Sequence, residues 1–157
     1  MKIVALYGKG KTGKTQTINL LVQCLKLNKA TVLIEERAGS EKNDRRYVIK
    51  YNEKIFGITT RGDDEPSLKE DFAWFKKQSE IDYIICATRS KGKTCDFVAG
   101  QANSKDVFWL SKIAFCDGYI DNKDCSSTVI EQQKAFNCQQ AADLFNIINI
   151  LYFSGGR

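Results

Sequence analysis

Residues 8–15 read Gly8-Lys9-Gly10-Lys11-Thr12-Gly13-Lys14-Thr15 and fit G-x-x-x-x-G-K-[ST] at every fixed position. They follow a short apolar run, KIVALY at 2–7, and precede a stripe of Ile18, Leu21, Val22 and Leu25. That context predicts a strand, a glycine loop and a helix over 14–28. The first thirty positions hold six lysines and no acidic residue, so positive charge gathers where the strand ends. Glycines let the backbone wrap an anion and aim its N–H groups inward. The helix that follows adds its own free N–H groups and the positive end of its dipole. On this reading Gly8 to Gln16 bind a polyphosphate: Lys14 reaches the β- and γ-phosphates, and Thr15 gives its hydroxyl to Mg²⁺. The bland alternative is a lysine-rich turn that happens to contain glycines.

Further strands are expected at 30–36 (ATVLIEE, a second buried strand), 81–88 (IDYIICAT) and 107–115 (VFWLSKIAF). A hairpin over 47–60 is expected to turn at Asn52-Glu53. Pro66-Ser67 followed by Glu70 predicts a capping-box helix with Leu68, Phe72 and Phe75 inside, and Thr128 with Glu131 opens a second. The long helix after it carries Ala141, Leu144, Phe145 and Ile148 on one stripe. Strands alternating with helices predict a three-layer α/β domain, with a mainly parallel sheet plus a β-hairpin.

The 157 residues contain one proline and no Gly/Ser-rich linker, so a single domain over 1–157 is expected. No apolar run approaches the length of a bilayer span, and the N-terminus is not a secretory signal, so the expected location is cytoplasmic. A net charge of +5, unevenly placed, suits an anionic ligand better than a DNA-coating surface. There is no histidine, which removes Ser–His and Cys–His nucleophile pairs. Cys24, Cys86, Cys95, Cys116, Cys125 and Cys138 include no C-x-x-C and read as reduced structural thiols rather than a zinc site.

The loop resembles that of the P-loop nucleoside triphosphatases. Lys9 to Thr15 is similar to K-G-x-x-G-K-[ST], the deviant Walker A form of the ParA/MinD-like ATPases. TVLIEERAGS (31–40) resembles that family's second strand, and IDYIICATRS (81–90) its Walker B strand. The resemblance implies ATP and Mg²⁺ as ligands, a catalytic role for Lys14, and a Lys9 that contacts nucleotide across a nucleotide-dependent homodimer. It also implies a switch that cycles on and off a protein partner the sequence does not name. The chain departs from the pattern where the Walker B aspartate aligns with Ala87, and the second-strand acid becomes Glu35. The resemblance is specific over about the first twenty residues and looser to residue 90.

With Ala87 unable to serve a metal, Asp63 and Asp64 after the hairpin are the candidate acids, with Glu35 as the other carboxylate. The stretch 62–66 equally suits a solvated turn into a capped helix. Arg89-Ser90-Lys91-Gly92-Lys93-Thr94 forms a second basic loop, in which Arg89 would stabilise charge on a transferred phosphoryl group. A plain exposed basic loop is the alternative. Tyr7, Trp74 and Trp109 read as core or partly buried aromatics rather than base-stacking platforms. Four functions follow: a slow Mg-dependent ATPase acting as a switch, a small phosphotransferase of unnamed acceptor, a nucleotide-binding adaptor, and a nucleic-acid binder. The last lacks a Lys/Arg stripe with interleaved aromatics. No N-K-x-D guanine-reading segment is present, which favours ATP over GTP. The first function is the expectation carried forward.

Overall fold

The computed structural model describes residues 1–40, 42–78, 80–114 and 126–154, with side chains described to residue 151. The chain runs β1 (Lys2–Tyr7), α1 (Lys14–Leu27), β2 (Thr31–Arg37), β3 (Arg45–Tyr51), β4 (Lys54–Thr59), α2 (Glu65–Phe75), β5 (Tyr83–Thr88), α3 (Lys93–Ala99), β6 (Val107–Ser111) and α4 (Ser127–Ser154). The six strands form one mixed sheet in the order β2-β3-β4-β5-β1-β6. β4, β5, β1 and β6 are parallel neighbours, whereas β2-β3-β4 is an antiparallel meander.

The expected hairpin forms at Asn52 and Glu53, both in the left-handed region (φ 47° and 59°), as a tight primed turn requires. The expected stripe on α1 is the inner face: Ile18, Leu21 and Leu25 have no exposed surface. Truncating one such leucine to alanine costs about 2–5 kcal/mol. α1 and α4 cover one face of the sheet, over Val4, Leu6 and Ile85. α2 and α3 cover the other, over Ile3, Ala5 and Ile84. β1 therefore feeds a helix on one face while its neighbour β5 feeds one on the opposite face. The crevice between their carboxyl ends is the topological switch point where open α/β sheets take ligands.

Five expectations need correction. The strand at 30–36 is not buried: β2 is the sheet edge, with side chains alternating between exposed and half-buried, and three strands separate it from β1. Its Glu35, Glu36 and Arg37 are tolerated because an edge leaves one flank in water. The cap of α2 is Asp64, which accepts from the Ser67 N–H at 2.8 Å, so Ser67 and Glu70 form no capping box. α4 likewise opens on Ser126, whose hydroxyl accepts from the Val129 N–H at 3.3 Å, rather than on Thr128. The basic loop expected at 89–94 ends at Gly92, because α3 begins at Lys93. The strand expected at 107–115 ends at Ser111, and Phe115, Cys116 and Cys125 lie outside the described residues.

Candidate functional site

The glycine–lysine loop occupies the switch-point crevice. The Gly8 N–H donates to the Thr88 carbonyl at 3.2 Å, tying the loop to the end of β5. The Thr12 hydroxyl donates to the Lys9 carbonyl at 2.9 Å and tightens the turn. Gly13 sits at φ 90°, ψ 18°, a conformation that carries no cost only for glycine. It lets the chain reverse and start α1 with Lys14 pointing inward. The Lys14 ammonium is 5% exposed and donates to the Gly8 and Lys9 carbonyls at 3.0 and 2.6 Å. Burial lowers its pKa; Asp63 opposes that shift and Arg89 adds to it. The first turn of α1 holds no acidic side chain and no side-chain cap, so the positive end of its dipole faces the loop.

The acid arrives from the neighbouring connection. Gly62 presses on the backbone of Ala87, and a Cβ at 62 would overlap the Ala87 carbonyl. The chain from β4 thus passes over the end of β5. It delivers Asp63, whose Oδ1 lies 3.7 Å from the Lys14 ammonium and 3.1 Å from Arg89 Nε. Asp64 points into the helix end as its cap, with Oδ2 also receiving the Ser67 hydroxyl at 2.9 Å. The connection is held from below by Arg61. Its guanidinium pairs with the fully buried Asp71, which also accepts from the Thr59 hydroxyl at 2.5 Å. Hydrogen bonding to Asp71 holds Arg61 charged at any ordinary pH.

Of the other expected site residues, Lys9 and Lys11 are exposed on the crest of the loop, and Gly10 lies under the Arg89 guanidinium. The Thr15 hydroxyl donates to the Thr60 carbonyl at 3.2 Å. Gln16 accepts from Asn137 of α4 at 3.0 Å. Glu35 is not brought to this group. It lies on the edge strand, paired with Lys26 at 3.3 Å. Thr15 and Asp63 supply the hard oxygen donors that suit Mg²⁺. Trp74 stacks under Arg46 (4.5 Å) and Trp109 meets Tyr7 edge-on (6.2 Å), and neither tryptophan lines the cavity beside the loop. Cys24, Cys86, Cys95 and Cys138 are free thiols, and burial pushes Cys86 up to about 12.

That cavity, about 730 Å³, runs from Lys14 and Thr15 past Thr60 and Asp63 to Ser40 and Asp44 in the β2–β3 connection. The sequence reading missed Asp44 and Lys112. Asp44 had only a polar loop as its signal. Lys112, one residue past β6, is buried behind Gly8 and donates to Gln140 Oε1 at 2.6 Å and the Ile113 carbonyl at 2.9 Å. Burial, and secondarily Lys14, pushes it down to about 8. No family model matches the chain, nor does any curated protein or solved structure. Among the described residues, no helix is long and apolar enough to cross a membrane.

Proposed function

We propose that the chain binds a nucleoside triphosphate, ATP by preference, with Mg²⁺ at residues 8–16, and that it cleaves the γ-phosphate slowly. One observation carries this reading: the Lys14 ammonium is buried in a left-handed glycine turn, donates to two backbone carbonyls, and has Asp63, a largely exposed carboxylate, 3.7 Å away. An arriving phosphate can take the place of that carboxylate, and the low-dielectric surroundings strengthen its attraction to the buried cation. The α1 N–H groups and Lys14 would hold the β- and γ-phosphates, and Arg89, across the crevice, would meet charge that develops as the terminal bond breaks. Mg²⁺, held by the Thr15 hydroxyl and the Asp63 carboxylate, would neutralise the β,γ oxygens. Asp63, now bridging Lys14 and Arg89, must shift as phosphate enters. Release of inorganic phosphate from Mg-ATP tests the reading: a slow rate above background that disappears in Lys14→Ala is expected, and no phosphate release together with no ATP-induced melting shift sinks it.

A second reading, the nucleotide-dependent homodimer, draws on Lys9. Its carbonyl turns inward to Lys14 while its side chain is exposed on the crest, a geometry suited to reaching nucleotide in a second copy. Sedimentation with ATP and with ADP decides it. A dimer only with ATP, lost in Lys9→Ala, is expected; a monomer in both states at high micromolar protein ends this reading.

A further inference from the structure

We propose that the half of the cavity remote from the glycine–lysine loop receives a phosphoryl acceptor, a small neutral or cationic hydroxyl compound whose proton passes to Asp44. The inference rests on the nucleotide reading above, which sets where the γ-phosphate lies. In such a loop the backbone holds the α- and β-phosphates and the lysine reaches β and γ. Gln16, just beyond the loop, is tied to α4 through Asn137, whereas Lys14 faces Asp63 on the β4 side. The triphosphate therefore runs from the α4 flank towards β4, with its γ end at Lys14 and Arg89.

The cavity does not stop there. It continues under the β2–β3 connection to Gly39, Ser40, Asn43 and Asp44. The triphosphate and its Mg²⁺ take the end lined by Lys14, Thr15 and Gln16, and the cavity, about 730 Å³ in all, extends beyond them along the β2–β3 connection. The remote walls present a hydroxyl from Ser40, an amide from Asn43 and carboxylates from Asp44 and Asp64. Among the described residues lining that half, Arg61 is the one cation, and Asp71 and Glu70 already neutralise it. Such a wall hydrogen-bonds hydroxyls, tolerates an ammonium and repels a second phosphate.

Asp44 is placed for proton transfer. The Thr15 hydroxyl donates to the Thr60 carbonyl at 3.2 Å, and the Thr60 hydroxyl lies 3.4 Å from Asp44 Oδ1 and 3.3 Å from the Arg45 carbonyl, either of which can accept from it. One residue thus separates the carboxylate from the β,γ end of the loop. In the reaction the acceptor oxygen bonds to the γ-phosphorus as the bond from that phosphorus to the β,γ-bridging oxygen breaks. The nucleoside diphosphate leaves with the electron pair, and the hydroxyl proton goes to Asp44.

The test uses the full chain with Mg-ATP labelled in the γ-phosphate. The probes are glycerol, glucose, uridine and choline, with uridine 5′-monophosphate as the anionic control and a dialysable cell extract as a wider source. Label is expected in a neutral or cationic hydroxyl compound, with transfer falling tenfold or more in Asp44→Asn and in Ser40→Leu, which fills the remote half. Asn43→Leu repeats the fill from another position should Ser40→Leu melt early. Label appearing only as inorganic phosphate, at one rate with and without the probes and the extract, overturns the proposal and leaves the hydrolysis reading standing. Preferential transfer to uridine monophosphate, or transfer indifferent to the three variants, overturns it too. Absence of any ADP and of any ATP-induced melting shift fails the nucleotide reading beneath it instead.

Discussion

Two turns end adjacent parallel strands with the same three residues. After β1 the chain reads Gly13-Lys14-Thr15, and after β5 it reads Gly92-Lys93-Thr94. Both glycines have positive φ, 90° and 88°, but their ψ angles are 18° and −161°. Lys14 turns inward to the Gly8 and Lys9 carbonyls, whereas Lys93 is exposed. The cause lies in the residues before each glycine. The first loop spans 8–13 and leaves two carbonyls at its base for the lysine. The second spans only 89–92, and its base is already occupied: the Arg89 N–H donates to the Thr94 hydroxyl at 3.1 Å, and the Cys95 thiol donates to the Arg89 carbonyl at 2.9 Å. A glycine–lysine–threonine triplet is therefore no anion cradle by itself. It becomes one when the loop before it is long enough to fold its own carbonyls around the lysine.

The widest test of that contrast is a pair of variants. ATP at a hundred times its dissociation constant adds about 2.7 kcal/mol to the unfolding free energy, roughly 5–10 °C in melting temperature for a chain of this size. Lys14→Ala is expected to lose most of that shift, and Lys93→Ala to keep it. Equal losses in the two would mean that the turns share the ligand and would erase the distinction.

Next in size is Gly62→Ala. The new methyl group meets the Ala87 backbone, which cannot yield as a flexible side chain would, so a loss of about 1–3 kcal/mol is expected. At the second turn, Gly92→Ala meets no atom and is strained only by its φ, costing about 1 kcal/mol. Chemical denaturation of both variants gives the ranking directly.

Asp63 and Asp64 are adjacent in sequence and separate in role. Asp64→Ala should cost about 1 kcal/mol of stability through the lost cap, without altering the magnesium dependence of ATP binding. Asp63→Asn should leave stability nearly unchanged, since its carboxylate is 60% exposed, and weaken ATP binding with magnesium more than without it. Calorimetric titrations with and without chelator separate the two, and an Asp63→Asn protein with wild-type magnesium dependence removes Asp63 from the metal site.

The smallest effect concerns Lys112, against the first turn. Its folded pKa of about 8 lies below the ordinary lysine value of 10.5, so between those values the unfolded chain binds more protons. Stability should therefore rise as pH increases through 8, by about 1 kcal/mol between pH 7 and 9. Above pH 9 the raised Cys86 pKa acts in the opposite direction, because the unfolded thiol then loses its proton first. Melting curves from pH 7 to 9 should slope upward in wild type and less steeply in Lys112→Met, where the lowered Lys14 pKa still acts in the same direction.

How far the chain could be read without coordinates follows from which forces are local. The α1 stripe, the Asn52-Glu53 turn and the loop at 8–15 depend on residues a few positions apart, and periodicity and turn chemistry display them. The edge position of β2 depends on which strand it pairs with, and an apolar ATVLI looks the same at an edge as in a centre. The caps at Asp64 and Ser126 fall a few residues before the expected ones, because several polar residues there can cap and tertiary packing chooses among them. α3 has seven residues and too short a stripe to register. The acid of the site was legible as a pair, Asp63 or Asp64, but their division of labour needed the path of the chain over Ala87. Asp44 carried no signal at all, since only the fold brings it to Thr60.

The contact between Gly62 and Ala87 makes the delivery of the acid depend on an atom that is absent. A Cβ at 62 would overlap the Ala87 carbonyl, so the connection that brings Asp63 and caps α2 can lie against the end of β5 only while residue 62 has no side chain. The site thus depends on a residue that contributes no functional group of its own and sets how closely its carboxylate can approach. Any redesign of the acid has to keep position 62 bare.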